Sequence, residues 1–335
     1  MGLGRIQLAT KCNQRPEVLE KYLGLAASLG VSAVEIQEVY SIMCEVPLQK
    51  RVEKAAAVMK GKVEGLVFHQ PLWGAINSWE QTVKVLKFDL ASEERDFALG
   101  LARETIMEAV DLGLQLGLEH PVLVNFHIMG FVQTKNICLK RKIDHLRRGE
   151  HSLLQLKRFT EDYCHGVGFT KNGKPQAVIV HENSYIFHPG DACALLSIHP
   201  LEITRLVGVG VNIDFAHLQL AMNYLNANPD CASALLEKQL YPPLTWEGTV
   251  ETVKEQLELL HLNDAKGWTP EDEGIEIGLG EIPYKKLIPL ICEKIKHDII
   301  GTIEIKTQHI HPEEFINSVL QLKKQFGSKF DEYFF

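Results

Sequence analysis

The chain has 335 residues, 45% of them apolar and 23% charged, which are ordinary globular proportions that provide a sizeable core and exclude global disorder. Its formal net charge of −8 gives no overall attraction for nucleic acid or an anionic membrane. Seven cysteines, at 12, 44, 138, 164, 193, 231 and 292, form no CxxC pair. With no signal-like apolar stretch in MGLGRIQLATK and no apolar run long enough to span a bilayer, a reduced cytoplasmic protein is expected.

Residues 5–10 alternate as a strand, and after Pro16 the apolar positions Val18, Leu19, Tyr22, Leu23, Ala26 and Leu29 recur at helical spacing up to Gly30. Residues 33–39 read as a second strand, and 47–59 as a helix stopped by Gly61. The third strand, 65–69, leads into a loop with two tryptophans and then a long amphipathic stretch over 93–118. Strand four, 122–127, is followed by an insertion at about 130–150 rich in Lys and Arg, and by a helix over 152–165. The NGKP turn at 172–175 restarts the chain for strand five, 177–183, with a short helix near 190–198. Strand six, 208–214, precedes a helix from His217 to Leu225, and a second helix over 248–256 leads to strand seven, 257–263. A helix opened by Pro283, strand eight at 300–305 and a helix over 312–325 complete the pattern.

Eight strands, each followed by helix, predict parallel strands with right-handed crossovers, and eight such units are expected to close into a single-domain α/β fold, a (β/α)8 TIM barrel. The competing open doubly wound sheet would place a glycine-rich turn after the first strand, and residues 8–15 (LATKCNQR) contain no glycine.

The strands share one further property. LELLHLND, VIVHEN, VGVNID, LVNFH, LVFH and TIE are apolar runs that end in His, Asp or Glu. In a barrel alternate residues point inward and the active site lies at the C-terminal rim. Stepping back by two from His261, Glu182, His127 and His69 meets residues compatible with a filled interior, so these termini can share one mouth. Glu182, Asp214, His261 and Glu304 are the candidate ligands of a divalent metal ion, Mn, Co, Mg or Zn, since oxygen and nitrogen donors mix here without thiolate. His217, three residues past Asp214, would face the same mouth. His181 has the opposite parity and should face the helices. Glu35 and Glu38 read as internal ion-pair partners.

The order HEN, DFAH, HLND and TIEIK, with His69 and His127 on strands three and four, resembles the xylose isomerase-like barrel superfamily over nearly the whole chain. That group includes sugar-phosphate isomerases and epimerases and endonuclease IV-type DNA repair enzymes. The resemblance implies that Glu182, Asp214, His261 and Glu304 form the shared metal-binding set. Endonuclease IV-type enzymes carry a trinuclear zinc cluster that also uses an Asp-x-His before an IGxG turn. Here Asp272-Glu273-Gly274 precedes Ile277-Gly278-Leu279-Gly280, so the histidine is missing.

The expected function is therefore a metal-dependent isomerase or epimerase of a small sugar or polyol derivative, with Glu182 and Glu304 as general base and acid. A hydride-shift route is the other chemistry the superfamily offers. His69, His127, His217, Trp73 and Trp268 are the candidate substrate contacts, the tryptophans by stacking on a sugar face. The alternatives are an abasic-site DNA endonuclease with a reduced zinc cluster and a non-catalytic metabolite-binding barrel. The basic residues of 135–148 read as a solvated insertion, because no aromatic is interleaved among them. The C-terminal DEYFF reads as a packed or fraying tail, with contact to a second copy in a homo-oligomer as the alternative.

Overall fold

A computed structural model of the chain describes residues 3–71, 88–93, 95–128, 130–133, 139–184, 192–194, 196–203, 208–230, 243–308 and 310–335. Among them, eight parallel strands close a barrel in strict chain order. They are β1 (Ile6–Asn13), β2 (Ala33–Gln37), β3 (Gly65–His69), β4 (Val122–His127), β5 (Ala177–Glu182), β6 (Gly210–Asp214), β7 (Leu257–Leu262) and β8 (Ile299–Ile303), with β8 pairing back onto β1. All eight coincide with strands expected from the sequence. Helices surround them: α1 (Pro16–Ser28), α2 (Tyr40–Glu45), α3 (Leu48–Met59), α4 (Arg95–Leu116), α5 (Leu139–Val167), α6 (Phe215–Ala227), α7 (Trp246–Val253), α8 (Tyr284–Lys294) and α9 (Pro312–Phe326). None of the described helices is long and apolar enough to cross a membrane.

Strands buried on both faces read as continuous apolar runs, as in Leu66-Val67-Phe68, because one face meets the helices and the other the barrel interior. Two large apolar clusters occupy the space between strands and helices. A smaller one, Ala9, Ala33, Val67, Leu123, Val180, Leu259 and Ile300, fills the barrel itself. Two residues further along each of those strands the inward position is Lys11, Glu35, His69, Asn125, Glu182, His261 or Thr302. One step of the pleat thus turns an apolar plug into a polar floor beneath the C-terminal mouth.

Two segments depart from expectation. The helix expected from about 152 begins at Leu139, so most of the basic stretch lies on its first turns. Lys142 on that helix is buried in an ion pair with Glu202, and Arg148 donates to the carbonyl of Ala91, so these cations are tied into the fold rather than solvated. Residues 192–194, expected within a short helix, pair antiparallel with Phe131–Gln133, and this ladder joins the connections that follow β4 and β5. The tail is packed. Phe335 exchanges backbone hydrogen bonds with Ile6 and Leu8, at the start of β1 where the pairing with β2 has not yet begun, and the Arg5 guanidinium covers its ring.

Candidate metal centre

The four ligand candidates meet. Nδ1 of His261 lies 2.5 Å from Glu304 Oε2, 3.4 Å from Glu182 Oε1 and 3.5 Å from Asp214 Oδ2. Each arrives from a strand end: Glu182 closes β5, Asp214 closes β6, His261 is the penultimate residue of β7 and Glu304 follows β8. Glu182, Asp214 and His261 are buried, whereas the Glu304 side chain keeps 24% of its surface exposed.

Local structure fixes each of them. Asp214 is the N-cap of α6, accepting from the backbone N–H of His217 through Oδ1, and Oδ2 accepts from Asn263 Nδ2 at 2.9 Å. Asn183 holds the Asp214 backbone from the other side, accepting from its N–H at 2.6 Å and donating to its carbonyl. Asp264 is not a site residue. It accepts from the N–H groups of Ala265, Gly278 and Ile282 and so shapes the loop after β7.

Among the ligand candidates, Glu182 is the most enclosed carboxylate. Asn125 donates to Oε2 at 2.5 Å, and His69 and His127 approach the same oxygen at 3.4 and 3.2 Å. Oε1 faces His261 and His217, each at 3.4 Å. Burial works against its charge, but His127 and His261 outweigh burial and hold Glu182 well below the ordinary carboxylate range. For Glu304, burial is likewise overcome, by His261 and Lys11. Both carboxylates are therefore ionised at neutral pH.

His69 and His127 converge on the same place. The Gln70 carbonyl accepts from Nδ1 of His69 at 2.8 Å, and Nε2 of His69 lies 3.0 Å from Nε2 of His127. Burial depresses His127 to about 3, so its ring is neutral. Donor atoms of His69, His127 and Glu182 lie within 4.8 Å of one another, as do those of Glu182, Asp214 and His261, and Glu182 is common to both groups.

These donors fit a divalent ion. His261 Nδ1 and Glu304 Oε2 are buried, 2.5 Å apart, and neither makes a well-aligned hydrogen bond among the described residues. Three carboxylates and an imidazole, with no thiolate among them, are the donor types of a Mn, Co, Mg or Zn site.

His217 is placed differently. Nδ1 faces the Asn183 carbonyl at 3.0 Å and Nε2 faces Glu273 Oε1 at 3.2 Å. Burial lowers its proton affinity, but Asp214 and Glu273 raise it to about 10, so the ring is a cation with both N–H groups engaged. Asp272, the residue that matches the zinc-cluster motif, is used elsewhere: it closes a capping box with Thr269. Trp268 is 46% exposed and edge-on to Tyr224 of α6. Trp73 lies outside the described residues. His181 faces away from the mouth onto Ser197, as its parity requires.

Lys11 and Glu273 carry no role in the sequence reading, whereas Glu35 is the internal ion-pair partner expected. Lys11 Nζ lies 2.5 Å from Glu304 Oε1 and 3.4 Å from Glu35 Oε1. Glu35 Oε2 accepts from His261 Nε2 at 3.0 Å, and Asn212 approaches the same nitrogen at 3.1 Å. Lys11 lies two residues past inward-facing Ala9, so the alternation along β1 marks it as facing the mouth. Nothing in the sequence signals that Glu273 reaches His217, since loop geometry alone brings it there.

No protein-family model matches the chain, and no curated protein matches it. Solved structures do match. The chain resembles a D-tagatose 3-epimerase-like protein at 17% identity, covering 96% of this chain and 99% of that one with a TM-score of 0.58. It resembles 3-keto-D-glucoside 4-epimerase from E. coli at 12% identity, covering 96% and 99% with a TM-score of 0.58. A xylose isomerase domain protein from Planctomyces limnophilus is similar at 15% identity, covering 96% and 98% with a TM-score of 0.53. What is shared at these identities is the fold, a closed eight-stranded parallel (β/α)8 barrel.

Proposed function

We propose that the chain is a divalent-metal-dependent isomerase or epimerase of a small sugar or polyol derivative. The observation that carries this reading is the meeting of three carboxylates, from Glu182, Asp214 and Glu304, around Nδ1 of His261 at the mouth of the barrel. These four residues would hold the ion, and the chemistry it supplies when bound is Lewis-acid stabilisation of negative charge developing on oxygen. Removing a proton from carbon next to a carbonyl develops such charge.

Glu304 and Glu182 are the acid–base pair. Glu304 is the carboxylate that a substrate entering the mouth reaches, and Lys11 and His261 keep it ionised and ready to accept a proton. Glu182 closes β5, three places from the β8 that Glu304 follows, with β7 and His261 between them, so the pair flanks His261 from both sides. The His217 imidazolium brings a positive charge to the rim and is held there by the Asn183 carbonyl and Glu273. The binding of a neutral sugar also agrees with the Glu273 carboxylate at the mouth, which would repel a phosphodiester backbone.

The test is incubation of metal-loaded protein with a panel of ketoses and aldoses in D₂O. Carbon-bound deuterium in a substrate is expected, and Glu304→Gln with its metal content intact should abolish it. No exchange on any substrate would overturn proton transfer. Full turnover by Glu304→Gln would remove that residue from the chemistry.

One observation favours a second reading. The group His69, His127 and Glu182 shares its carboxylate with Glu182, Asp214 and His261, an arrangement suited to two ions and to hydrolysis of a phosphoester such as an abasic site in DNA. Two bound ions per chain together with nicking of abasic DNA would establish it. One ion and no nicking would remove it.

A further inference from the structure

The polar floor of the mouth contains two groups that the metal-centre reading does not use, Lys11 and Glu35. Glu35 is fully buried and comes from β2, on the far side of β1 from the strands that carry the ligand candidates. A carboxylate with no exposed surface is costly unless it is paired. Its pairing is specific. Oε2 accepts the Nε2 proton of His261, and Oε1 faces Lys11 Nζ at 3.4 Å. The same ammonium binds Oε1 of Glu304 at 2.5 Å, on the carboxylate oxygen opposite the one that faces His261.

From this connectivity we propose that Lys11 and Glu35 are a positioning couple for the metal centre: Glu35 keeps the His261 proton on Nε2 so that Nδ1 alone is presented, and Lys11 pins one oxygen of Glu304 so that Oε2 alone is presented. The inference rests on the metal-centre reading above. A histidine ligand whose other nitrogen donates to a carboxylate is held in one tautomer and one ring orientation, and loss of such a support typically weakens metal affinity about 10- to 100-fold. The surroundings favour one arrangement of His261 as a ligand, because Nδ1 faces three carboxylate oxygens. With the other oxygen of Glu304 on Lys11, that carboxylate is turned with a single oxygen toward His261.

Lys11 has a signature that separates positioning from simple charge. An ammonium beside a ligand oxygen repels a cation, so if Lys11 acted only through its charge, Lys11→Met would tighten metal binding. If it positions Glu304, the same substitution weakens binding.

The experiment is calorimetric titration of the full chain with Co²⁺ alone, together with the visible absorption of the bound ion, for wild type, Glu35→Gln and Lys11→Met. Circular dichroism confirms that each variant is folded, and Lys11→Met serves as the second probe if Glu35→Gln is not. The expected result is Co²⁺ binding by wild type, a loss of about 10- to 100-fold in affinity for Glu35→Gln with a shifted absorption envelope, and weaker binding for Lys11→Met. Variants that bind Co²⁺ with wild-type affinity and an unchanged spectrum would overturn the couple and leave the metal centre standing, as would tighter binding by Lys11→Met for the role of Lys11. A wild-type protein that binds no Co²⁺ would overturn the metal centre and the couple with it.

Discussion

Replacing Glu38 with glutamine should stabilise the protein at alkaline pH. Glu38 lies just past β2, buried beside Glu108 of α4, and Arg51 is engaged by Glu104 and Glu108. Thr105 donates to Oε2 of Glu38, while Oε1 is buried on the Glu108 side with no well-aligned hydrogen bond among the described residues. Burial, then the neighbouring Glu108, pushes the Glu38 carboxyl well above its ordinary value of 4.5. The folded chain therefore binds a proton that the unfolded chain releases. The stability this proton contributes is fully present below pH 4.5 and is lost as pH rises through the folded value, with a slope of up to about 1.4 kcal/mol per pH unit. A glutamine fills the same space, carries no charge to desolvate and can donate to Glu108. Relief of a buried acceptor without a well-aligned hydrogen bond is worth about 1–3 kcal/mol. At about 2.1 cal/mol/K of unfolding entropy per residue, a chain of 335 residues gains roughly 1.5 °C in Tm per kcal/mol. Urea unfolding of wild type and Glu38→Gln at pH 5 and pH 8 measures it directly: the variant should gain at pH 8 and show little difference at pH 5. A variant less stable than wild type at pH 8, or a difference independent of pH, would refute the reasoning.

Other outcomes follow from the same contacts. In metal-free protein Glu273→Gln should lower the His217 titration from about 10, visible in its ring NMR shifts, and the stability gained from this imidazolium should fade as pH rises from 6.5 through about 10. An unchanged His217 titration would contradict the assignment. Phe334→Ala should cost about 3–5 kcal/mol, since that ring is buried against the tail's neighbours at the bottom of β1, and urea unfolding checks it. Asp214→Ala should remove the α6 cap at a cost of about 0.5–2 kcal/mol in the metal-free protein and abolish metal binding in the same variant, as thermal unfolding and titration would show.

The fold was legible because parallel strands buried on both faces leave continuous apolar runs, and eight of these lie in order along the chain. The ligand candidates were legible for a related reason. Glu182, Asp214, His261 and Glu304 each end such a run, and the pleat decides which of them turn inward. Contacts that depend on folding were not legible. Lys11 meets Glu304 across 293 residues of sequence, and Glu35 meets His261 across 226, so neither pairing has a local signal. The start of α5 was hidden for a different reason. Its buried face carries Lys142, His145, Gly149 and Ser152 at helical spacing, and these residues break the apolar period that marks a helix. The 192–194 strand has a ladder partner that no local pattern announces.

The central claim is that His261 and three carboxylates form a metal centre at the barrel mouth. Titration of the chain with Mn²⁺, followed by the loss of the free-ion electron paramagnetic resonance signal, tests it most directly when wild type is compared with His261→Ala. The expected result is saturable uptake of Mn²⁺ by wild type and loss of that uptake in the variant. A wild-type chain that leaves Mn²⁺ free at millimolar concentration, or a His261→Ala variant that binds it as tightly as wild type, would contradict the claim.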